Sequence, residues 1–341
     1  MSIKKVLPLL LIAALAAVIL GTSASAQRSA TLKAAMVSDT GNINDRSFNF
    51  LASQGLARAK KRLGAQTRIY ISKSKADYLP NLAQAARDGN KAVLATGFLL
   101  ADDTSTAATQ FPNTDYAIVD FPWAALKDKP KNAMGLTFKS EQSGYLVGYL
   151  AALMAKKQGG KQVIGAVGGK KIPSVDNWIA GYRAGAKKAN RRIQVKIGYS
   201  DQFAIGFSSK CKEIALNQIQ QGAQMIFQVA GGCGLGALDA AKANHKGKRP
   251  VWGIGVDADQ AYLGKHILTS GTKKVDNAAF KFFSLVNSGT FKGGRDLVFT
   301  LKNGGQGVGK ISPKVPPAFV TKMNAIKKLI IRGKIKPPAT L

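Results

Sequence analysis

The sequence contains few of the residues that build metal centres and redox sites. Its 341 residues include 2 cysteines and 2 histidines, His245 and His266. Their spacing matches no zinc knuckle, no Cys-x-x-Cys redox pair and no paired-histidine ligand set. These absences exclude structural zinc and c-type haem, and we expect neither a metal nor another cofactor.

Acidic residues are also scarce, since 18 Asp and Glu stand against 50 Lys and Arg and give a net charge of +32. Such a balance is typical of nucleic-acid-binding proteins. Here, however, the basic residues form short scattered groups, such as 60–62, 187–192 and 327–332, on predicted exposed helix faces and helix ends. We therefore expect no nucleic-acid partner, and at most a loose attraction to an anionic envelope surface.

The apolar run Val6–Leu20 is shorter than the roughly 20 residues that span a bilayer. Lys4 and Lys5 precede it, and the small residues 21–26 follow it. This order predicts a secretory signal over residues 1–26, cleaved after Ala26. No cysteine lies near the end of the run, so an N-terminal lipid anchor is not expected, and the mature chain is predicted to be periplasmic or extracellular.

Length and a hydrophobic content of 45% predict a globular protein of two domains, or of one unusually large domain. Strand-like apolar runs alternate with helical patterns along the chain. The predicted strands cover 31–37, 67–71, 92–96, 115–120, 162–167, 193–199, 224–229 and 251–256. The predicted helices cover 47–63, 77–88, 101–109, 141–157, 175–190, 208–221 and 234–243. This alternation indicates an open α/β fold with mostly parallel sheets.

In such sheets a ligand binds beyond the carboxyl ends of the strands. The residues at these positions are Asp39, Gly97, Phe98, Asp120, the glycine-rich loop 231–234, and Asp257. Carboxylates accept hydrogen bonds, so three of them favour a sugar or nucleoside over a phosphate. A single strand-end Asp is as often a helix cap, and Phe48 alone would be assigned to the core. The glycine-rich loop lacks the Lys-Ser/Thr end of a P-loop and indicates a close approach of backbone.

Several longer motifs occur in a fixed order. They are Ser38–Asn49, Glu141–Gly148, Val167–Gly169 with Ile172–Pro173, Gly181–Gly185, Ala230–Gly234, Gly255–Gln260 and Thr269–Asp276. Together they resemble the basic membrane protein family, the purine-nucleoside-receptor-like substrate-binding proteins of ABC transporters. The resemblance extends from about residue 33 to 294.

The resemblance implies a type I periplasmic-binding-protein fold, with two α/β lobes joined by three hinge crossovers. On this analogy the N-terminal lobe contains 31–137 plus 258–288, and the C-terminal lobe contains 138–257 plus 289–341. A monomer is expected, which delivers its ligand to an ABC transporter permease in the membrane.

The resemblance also implies a purine nucleoside bound between the lobes. By motif position, Asp39 contacts the edge of the base, Phe48 stacks on it and Asn49 supports the same loop. Asp120, Asp257 and Lys273 hold the ribose hydroxyls. Either Phe203 or Phe207 supplies the second stacking ring, because the segment around them departs from the usual spacing. Asn44, Gly97 and Gly232 complete the predicted ligand-binding set.

The alternative function is a nucleoside hydrolase or phosphorylase, in which the acids would hold calcium or act as a general base. The sequence shows no run of Asp at ligand spacing and no histidine beside the candidate acids. The receptor is therefore favoured, and no catalytic residue is assigned.

Cys211 and Cys233 are predicted to form a disulfide. Export places both thiols where disulfides persist, and each has one possible intramolecular partner. They belong to consecutive strand–helix units, which usually lie side by side. The alternative is a pair of buried free thiols that act as small hydrophobic groups.

Overall fold

The computed structural model describes residues 31–41 and 43–341, so the predicted signal segment lies outside the described residues. Strands within this part form two sheets of six. The first sheet has the order β11-β5-β4-β3-β1-β2. Its strands are β1 Lys33–Val37, β2 Gln66–Tyr70, β3 Ala92–Ala95, β4 Asp115–Val119, β5 Ala133–Phe138 and β11 Arg295–Phe299. All of its pairings are parallel.

The second sheet has the order β12-β10-β9-β8-β6-β7. Its strands are β6 Val163–Gly168, β7 Gln194–Tyr199, β8 Ala223–Val229, β9 Trp252–Asp257, β10 Ile267–Lys273 and β12 Gln306–Val308. The pairings are parallel except that of β10 with β12. The strands β8 and β10 are buried along their whole length, as strands covered by helices on both faces are.

Helices cover both faces of each sheet. Around the first sheet they are α1 Phe48–Leu63, α2 Tyr78–Arg87, α3 Ala101–Gln110 and α8 Val275–Asn287. Around the second sheet they are α4 Ser140–Gln158, α5 Pro173–Ala189, α6 Ser208–Gln220, α7 Gly234–Ala243 and α9 Pro317–Ile331. The apolar side chains between helices and sheets form two hydrophobic cores per sheet within the described residues. Each sheet with its helices is one lobe, and the predicted α/β fold with two lobes is confirmed.

Within residues 43–341 the chain passes between the lobes three times, as predicted. The crossovers are Lys139 between β5 and α4, Lys274 between β10 and α8, and the turn from Phe299 to Gln306. They lie side by side, because the Lys139 N–H donates to the Phe299 carbonyl at 2.9 Å and the Lys274 N–H donates to the Gly305 carbonyl at 3.0 Å. The three connections therefore form one hydrogen-bonded hinge.

Two segments lie in the other lobe from the one that the sequence predicted. The predicted bounds assign β10 to the N-terminal lobe, but it is a buried strand that pairs with β9 in the second sheet. They assign β11 to the C-terminal lobe, but it pairs with β5 in the first sheet. The chain returns to the first lobe at Lys274, after β10 has completed its ladder, and not at residue 258.

Helices α4 and α5 pack with their backbones in direct contact. Each carries two glycines four residues apart, Gly144 and Gly148 on α4 and Gly181 and Gly185 on α5. A Cβ atom at any of the four would collide with a backbone carbonyl of the facing helix. This close approach explains the glycine spacing in two of the sequence motifs, and it fixes the helix pair that follows the first crossover.

Cys211 and Cys233 form the predicted disulfide, with Cα atoms 5.8 Å apart. Cys211 lies in the first turn of α6, and Cys233 directly precedes α7. Both side chains are buried in the core between these helices and the second sheet. The bond therefore joins two neighbouring strand–helix units of the second lobe.

We predict that the double variant Cys211→Ala, Cys233→Ala loses about 3 kcal/mol of unfolding free energy in oxidising buffer. The bond closes a loop with a sequence separation of 22 residues, and its loss increases the entropy of the unfolded chain. Urea unfolding measures the loss, which should shrink in reductant because the wild-type bond then opens as well. Two alkylatable thiols in denatured, exported wild-type protein would contradict the disulfide.

Candidate functional site

A cleft lies between the lobes, at the carboxyl ends of the parallel strands. Its empty space, including the part open to solvent, is about 570 Å³. From the first lobe it is lined by Asp39, Gly41, Asp45, Phe48, Asn49, Gly97, Phe98, Leu99 and Asp120. From the second lobe it is lined by Ile172, Ser174, Val175, Trp178, Phe203, Val229, Gly231, Val256, Asp257 and Lys273. Both lobes thus contribute acids and aromatic rings to one cleft.

Lys273 is the centre of this site. It is 2% exposed, at the end of β10 and one residue before the hinge. Its Nζ lies 2.5 Å from Asp120 Oδ2 of the first lobe and 3.5 Å from Asp257 Oδ1 of the second. Burial alone would lower the pKa of Lys273, but the two carboxylates outweigh it and raise the pKa above its ordinary value. The lysine therefore stays charged at every physiological pH and holds the two lobes together.

Asp120 and Asp257 occupy equivalent places in the two sheets. Asp120 directly follows β4, and Asp257 is the last residue of β9. Both have left-handed backbone conformations, with φ of 64° and 61°. Asp is one of the few side chains that tolerate this region. The turn at each strand end places the two carboxylates beside one ammonium group.

A second polar cluster surrounds the start of α1. Asp39 Oδ1 accepts hydrogen bonds from the Gly41 N–H and from Asn49 Nδ2, both at 2.7 Å. Burial raises the pKa of Asp39, although these two hydrogen bonds act in the opposite direction. In the described part of the chain, Asp39 Oδ2 has no hydrogen-bond donor, so one carboxylate oxygen remains for a ligand in the cleft.

Asp45 caps helix α1 from the loop before it. Its carboxylate accepts the backbone N–H groups of Ser47, Asn49 and Phe50 at 2.9, 2.8 and 3.0 Å. These are free donors of the first helical turn, and their partial positive charge favours a carboxylate. Burial nevertheless raises the pKa of Asp45 to about 6, with a smaller contribution from the nearby Asp39. The cap fixes the position of Phe48 at the cleft wall.

Aromatic rings come from both lobes. Phe48, the first residue of α1, is half-buried, and Lys273 Nζ lies 4.7 Å from the centre of its ring. Phe203, from the loop after β7, is also half-buried and packs beside Gly231. Trp178 reaches the cleft from α5, although it is 1% exposed and mostly packs in the core.

The lobes also touch directly at the base of α1. The Ser47 hydroxyl lies 3.0 Å from Asp257 Oδ2 and 3.1 Å from the Val256 carbonyl. The Lys273–Asp120 contact and the Arg46 guanidinium, 5.9 Å from the centre of the Tyr262 ring, also connect the lobes. The conformation is therefore a closed one, in which the residues at the cleft wall are largely withdrawn from solvent.

The cleft brings together most of the predicted ligand-binding residues. Those that line it are Asp39, Phe48, Asn49, Gly97, Asp120, Phe203, Asp257 and Lys273. Three others lie outside the lining. Asn44 is exposed on the loop before α1, Phe207 is 43% exposed, and Gly232 packs against Ile205 while Gly231 takes the place at the cleft.

Sequence reasoning missed Asp45 and Trp178. Asp45 precedes a helix by three residues, a position in which a helix cap could have been recognised. Trp178 had no such signal, because a tryptophan on an amphipathic helix is assigned to the core.

Within the described residues there is no group of three His, Cys, Asp or Glu side chains placed to hold a metal ion. In that same part of the chain, no helix combines the length and hydrophobicity needed to cross a membrane.

We predict that ionisation of Asp45 lowers the free energy of unfolding as the pH rises from about 4 to 7. Its pKa is about 6 in the folded protein against an ordinary value of 3.8, so the folded state binds the proton more tightly than the unfolded state. Over this range the wild type should lose up to about 3 kcal/mol relative to Asp45→Asn.

Urea unfolding at pH 4, 5.5 and 7 measures this difference. The matched control is Asp201→Asn, which removes a carboxylate with 80% of its side chain exposed and should give a profile parallel to the wild type. Parallel profiles for Asp45→Asn as well would contradict the raised pKa.

Comparison with known proteins agrees with this geometry. A family model described as "ABC transporter substrate-binding protein PnrA-like" matches residues 32–340. The "ABC transporter nucleoside-binding protein BmpA" of Lactococcus lactis is 35% identical over 327 residues, covering 90% of this chain and 89% of that protein. "Basic membrane protein A1" of Borrelia garinii is 32% identical over 300 residues, covering 87% and 86%.

Among solved structures, an ABC transporter solute-binding protein from Aeropyrum pernix superposes with a TM-score of 0.82 at 26% sequence identity. The match covers 90% of this chain and 94% of that one. The type I fold of such solute-binding proteins accounts for the two lobes and the three crossovers. The chain therefore belongs to the basic membrane protein family, the PnrA-like substrate-binding proteins of ABC transporters.

Proposed function

We propose that this solute-binding protein is exported, captures a purine nucleoside in the cleft between its lobes, and delivers it to the permease of an ABC importer. The observation that carries the proposal is the composition of the cleft wall. Half-buried aromatic rings from opposite lobes and buried carboxylates line one cleft around a paired lysine.

The aromatic rings of the cleft are suited to bind the base. Phe48 and Phe203 approach the cleft from different lobes, so a flat base can lie between them when the lobes close. Stacking on aromatic rings is available to any base, and polar groups then select among bases. Asp39 and Asn49 lie beside Phe48 and supply those polar groups. A sugar without a base would leave this part of the cleft unfilled.

The acidic side chains beside Lys273 are suited to bind the ribose. Asp120 and Asp257 are acceptors beside Lys273, whose ammonium group has three N–H donors. Within the described residues, Nζ uses one of them in a hydrogen bond, to Asp120, and Asp257 Oδ1 is buried without a hydrogen bond. Ribose hydroxyls both donate and accept, so they can satisfy both groups. A phosphate would meet three carboxylates and a cation that is already paired, which disfavours nucleotides.

Closure of the cleft then follows from binding. A ligand that contacts both lobes favours the closed arrangement by its extra affinity for it. Phe48 and Asp120 belong to one lobe, and Phe203 and Asp257 to the other, so a nucleoside in contact with these residues bridges the hinge. Because the ligand favours the closed arrangement of the lobes, a permease that recognises this arrangement can distinguish the loaded receptor from the empty one.

The proposal that the protein binds its ligand without reacting with it is supported by its family, which consists of substrate-binding proteins. A hydrolase would leave free base and ribose after incubation. We infer that a nucleoside recovered from this protein is intact.

The ligand prediction is tested by calorimetry and thermal shift with adenosine, guanosine, inosine, free adenine, ribose and AMP. Purine nucleosides should bind, and at a hundred times the dissociation constant they should stabilise the fold by about 2.7 kcal/mol. Ribose, adenine and AMP should bind more weakly, because each lacks a matched group or adds a repelled charge. Stabilisation by amino acids or sugars, with none by any nucleoside, would contradict the proposal.

A second prediction separates the two candidate stacking rings. Phe203→Leu keeps apolar bulk but removes the flat ring at the cleft, so it should weaken nucleoside binding by roughly 1 to 3 kcal/mol. Phe207→Leu is the matched control, because Phe207 lies outside the cleft lining and is 43% exposed. Calorimetry measures both affinities and melting curves verify both folds. Equal losses, or a loss with Phe207→Leu alone, would overturn the assignment of Phe203.

A further inference from the structure

The second lobe carries a concentrated positive charge at the end opposite the cleft. In a parallel sheet, the connections from helices to strands lie at the amino ends of the strands, away from the ligand. Three such connections in the second lobe, 156–162, 187–193 and 242–251, contain no Asp or Glu. Their cations, here called the basic end, are Lys156, Lys157, Lys161, Lys187, Lys188, Arg191, Arg192, Lys242, Lys246, Lys248 and Arg249.

Hydrogen bonds join these connections into one surface. Asn190 Nδ2 donates to Gln162 Oε1 at 3.1 Å, which links the connection before β7 to the one before β6. Gln158 Nε2 donates to the Pro250 carbonyl at 3.3 Å, and Trp252 Nε1 donates to Gln158 Oε1 at 2.7 Å. These bonds link the connection before β9 to the same region. The three groups of cations are therefore neighbours in space.

The basic end is exposed and its charges are not neutralised by the protein. All eleven residues are exposed. None of them belongs to an ion pair among the described residues. At the corresponding end of the first lobe acidic residues neutralise part of the charge, because Arg68 pairs with Asp88 at 2.6 Å and Lys91 pairs with Asp115 at 3.7 Å.

Helix stabilisation explains part of this charge. Cations in the last turn of a helix interact favourably with its dipole, and Lys156, Lys157, Lys187, Lys188 and Lys242 have this position. The other six lie beyond the helix ends, where the dipole effect has faded. Their mutual repulsion destabilises the fold unless an outside anion offsets it.

We propose that the basic end is a docking surface for a bilayer of anionic phospholipids. Eight of its eleven cations are lysines, which act as point charges and suit a sheet of lipid phosphates better than the paired contacts that arginine makes. The three connections contain no Phe, Tyr or Trp on which nucleic-acid bases could stack. Docking through this end leaves the cleft, at the other end of the strands, open to its ligand.

Vesicle flotation tests the proposal with the chain recovered after export. Vesicles of phosphatidylcholine alone are compared with vesicles containing phosphatidylglycerol, at low and at high salt. The wild type should bind the anionic vesicles, release from them at high salt, and ignore neutral ones. The variant Arg191→Gln, Arg192→Gln, Lys246→Gln, Lys248→Gln should bind at least tenfold more weakly, since each cation near an anionic surface contributes roughly fivefold.

The matched control removes the same charge from the far end of the first lobe, by Lys127→Gln, Lys129→Gln, Lys131→Gln and Lys292→Gln. It should bind anionic vesicles like the wild type, and both variants should keep wild-type melting temperature and nucleoside affinity. Equal weakening by both variants would show a net-charge effect and overturn the proposal. So would the absence of binding to anionic vesicles, or tighter binding of the basic end to duplex DNA than to vesicles at equal phosphate concentration.

Discussion

The two lobes and the ligand cleft both depend on the buried Lys273. A buried ammonium group destabilises the fold unless acceptors surround it, and removal of one partner leaves an uncompensated charge. Asp120 comes from the first sheet and Asp257 from the second, so Lys273 is neutralised when the lobes are together. Its place one residue before the crossover at Lys274 means that this electrostatic centre and the hinge are parts of the same short segment. Opening the cleft separates Asp120 from Lys273, and water or ligand must replace that contact.

The second lobe is internally rigid. The glycine-mediated contact of α4 with α5 leaves no space for one helix to slide on the other, since their backbones touch. The disulfide holds α6 beside α7 on the opposite face of the same sheet. The three crossovers are joined by a few backbone hydrogen bonds, which can lengthen without disturbing either core. A change in the angle between the lobes therefore leaves the packing of the second lobe unchanged.

The outer surface of the molecule is mainly positive, whereas the cleft is rich in acidic side chains. Within residues 31–41 and 43–341 most Lys and Arg side chains are exposed, whereas the cleft concentrates Asp39, Asp45, Asp120 and Asp257 in a low-dielectric space. A bound ligand interacts mainly with the charges of the cleft, and a membrane interacts mainly with the charges of the outer surface. The reason is that salt screens the field of exposed charges over about 10 Å at ordinary ionic strength. The total charge consequently says little about the solute that is bound.

The sequence by itself determined the alternation of strands and helices from β1 to β9, apart from β5, and the residues at the strand ends, because apolar periodicity and the position of Asp39, Asp120 and Asp257 are local properties of the chain. It also determined the family, through motifs such as the glycine pairs of α4 and α5, whose spacing reflects a backbone contact. The tertiary structure decided to which lobe β10 and β11 belong, since each lies next to a crossover and the sequence does not show on which side of the strand the chain changes lobe. It alone placed Phe203 at the cleft and Phe207 outside, four residues apart in one loop, because that choice depends on packing against Gly169 and Gly231 from other strand ends. The joining of three basic connections into one surface was likewise decided by the sheet, which brings distant segments to a common edge.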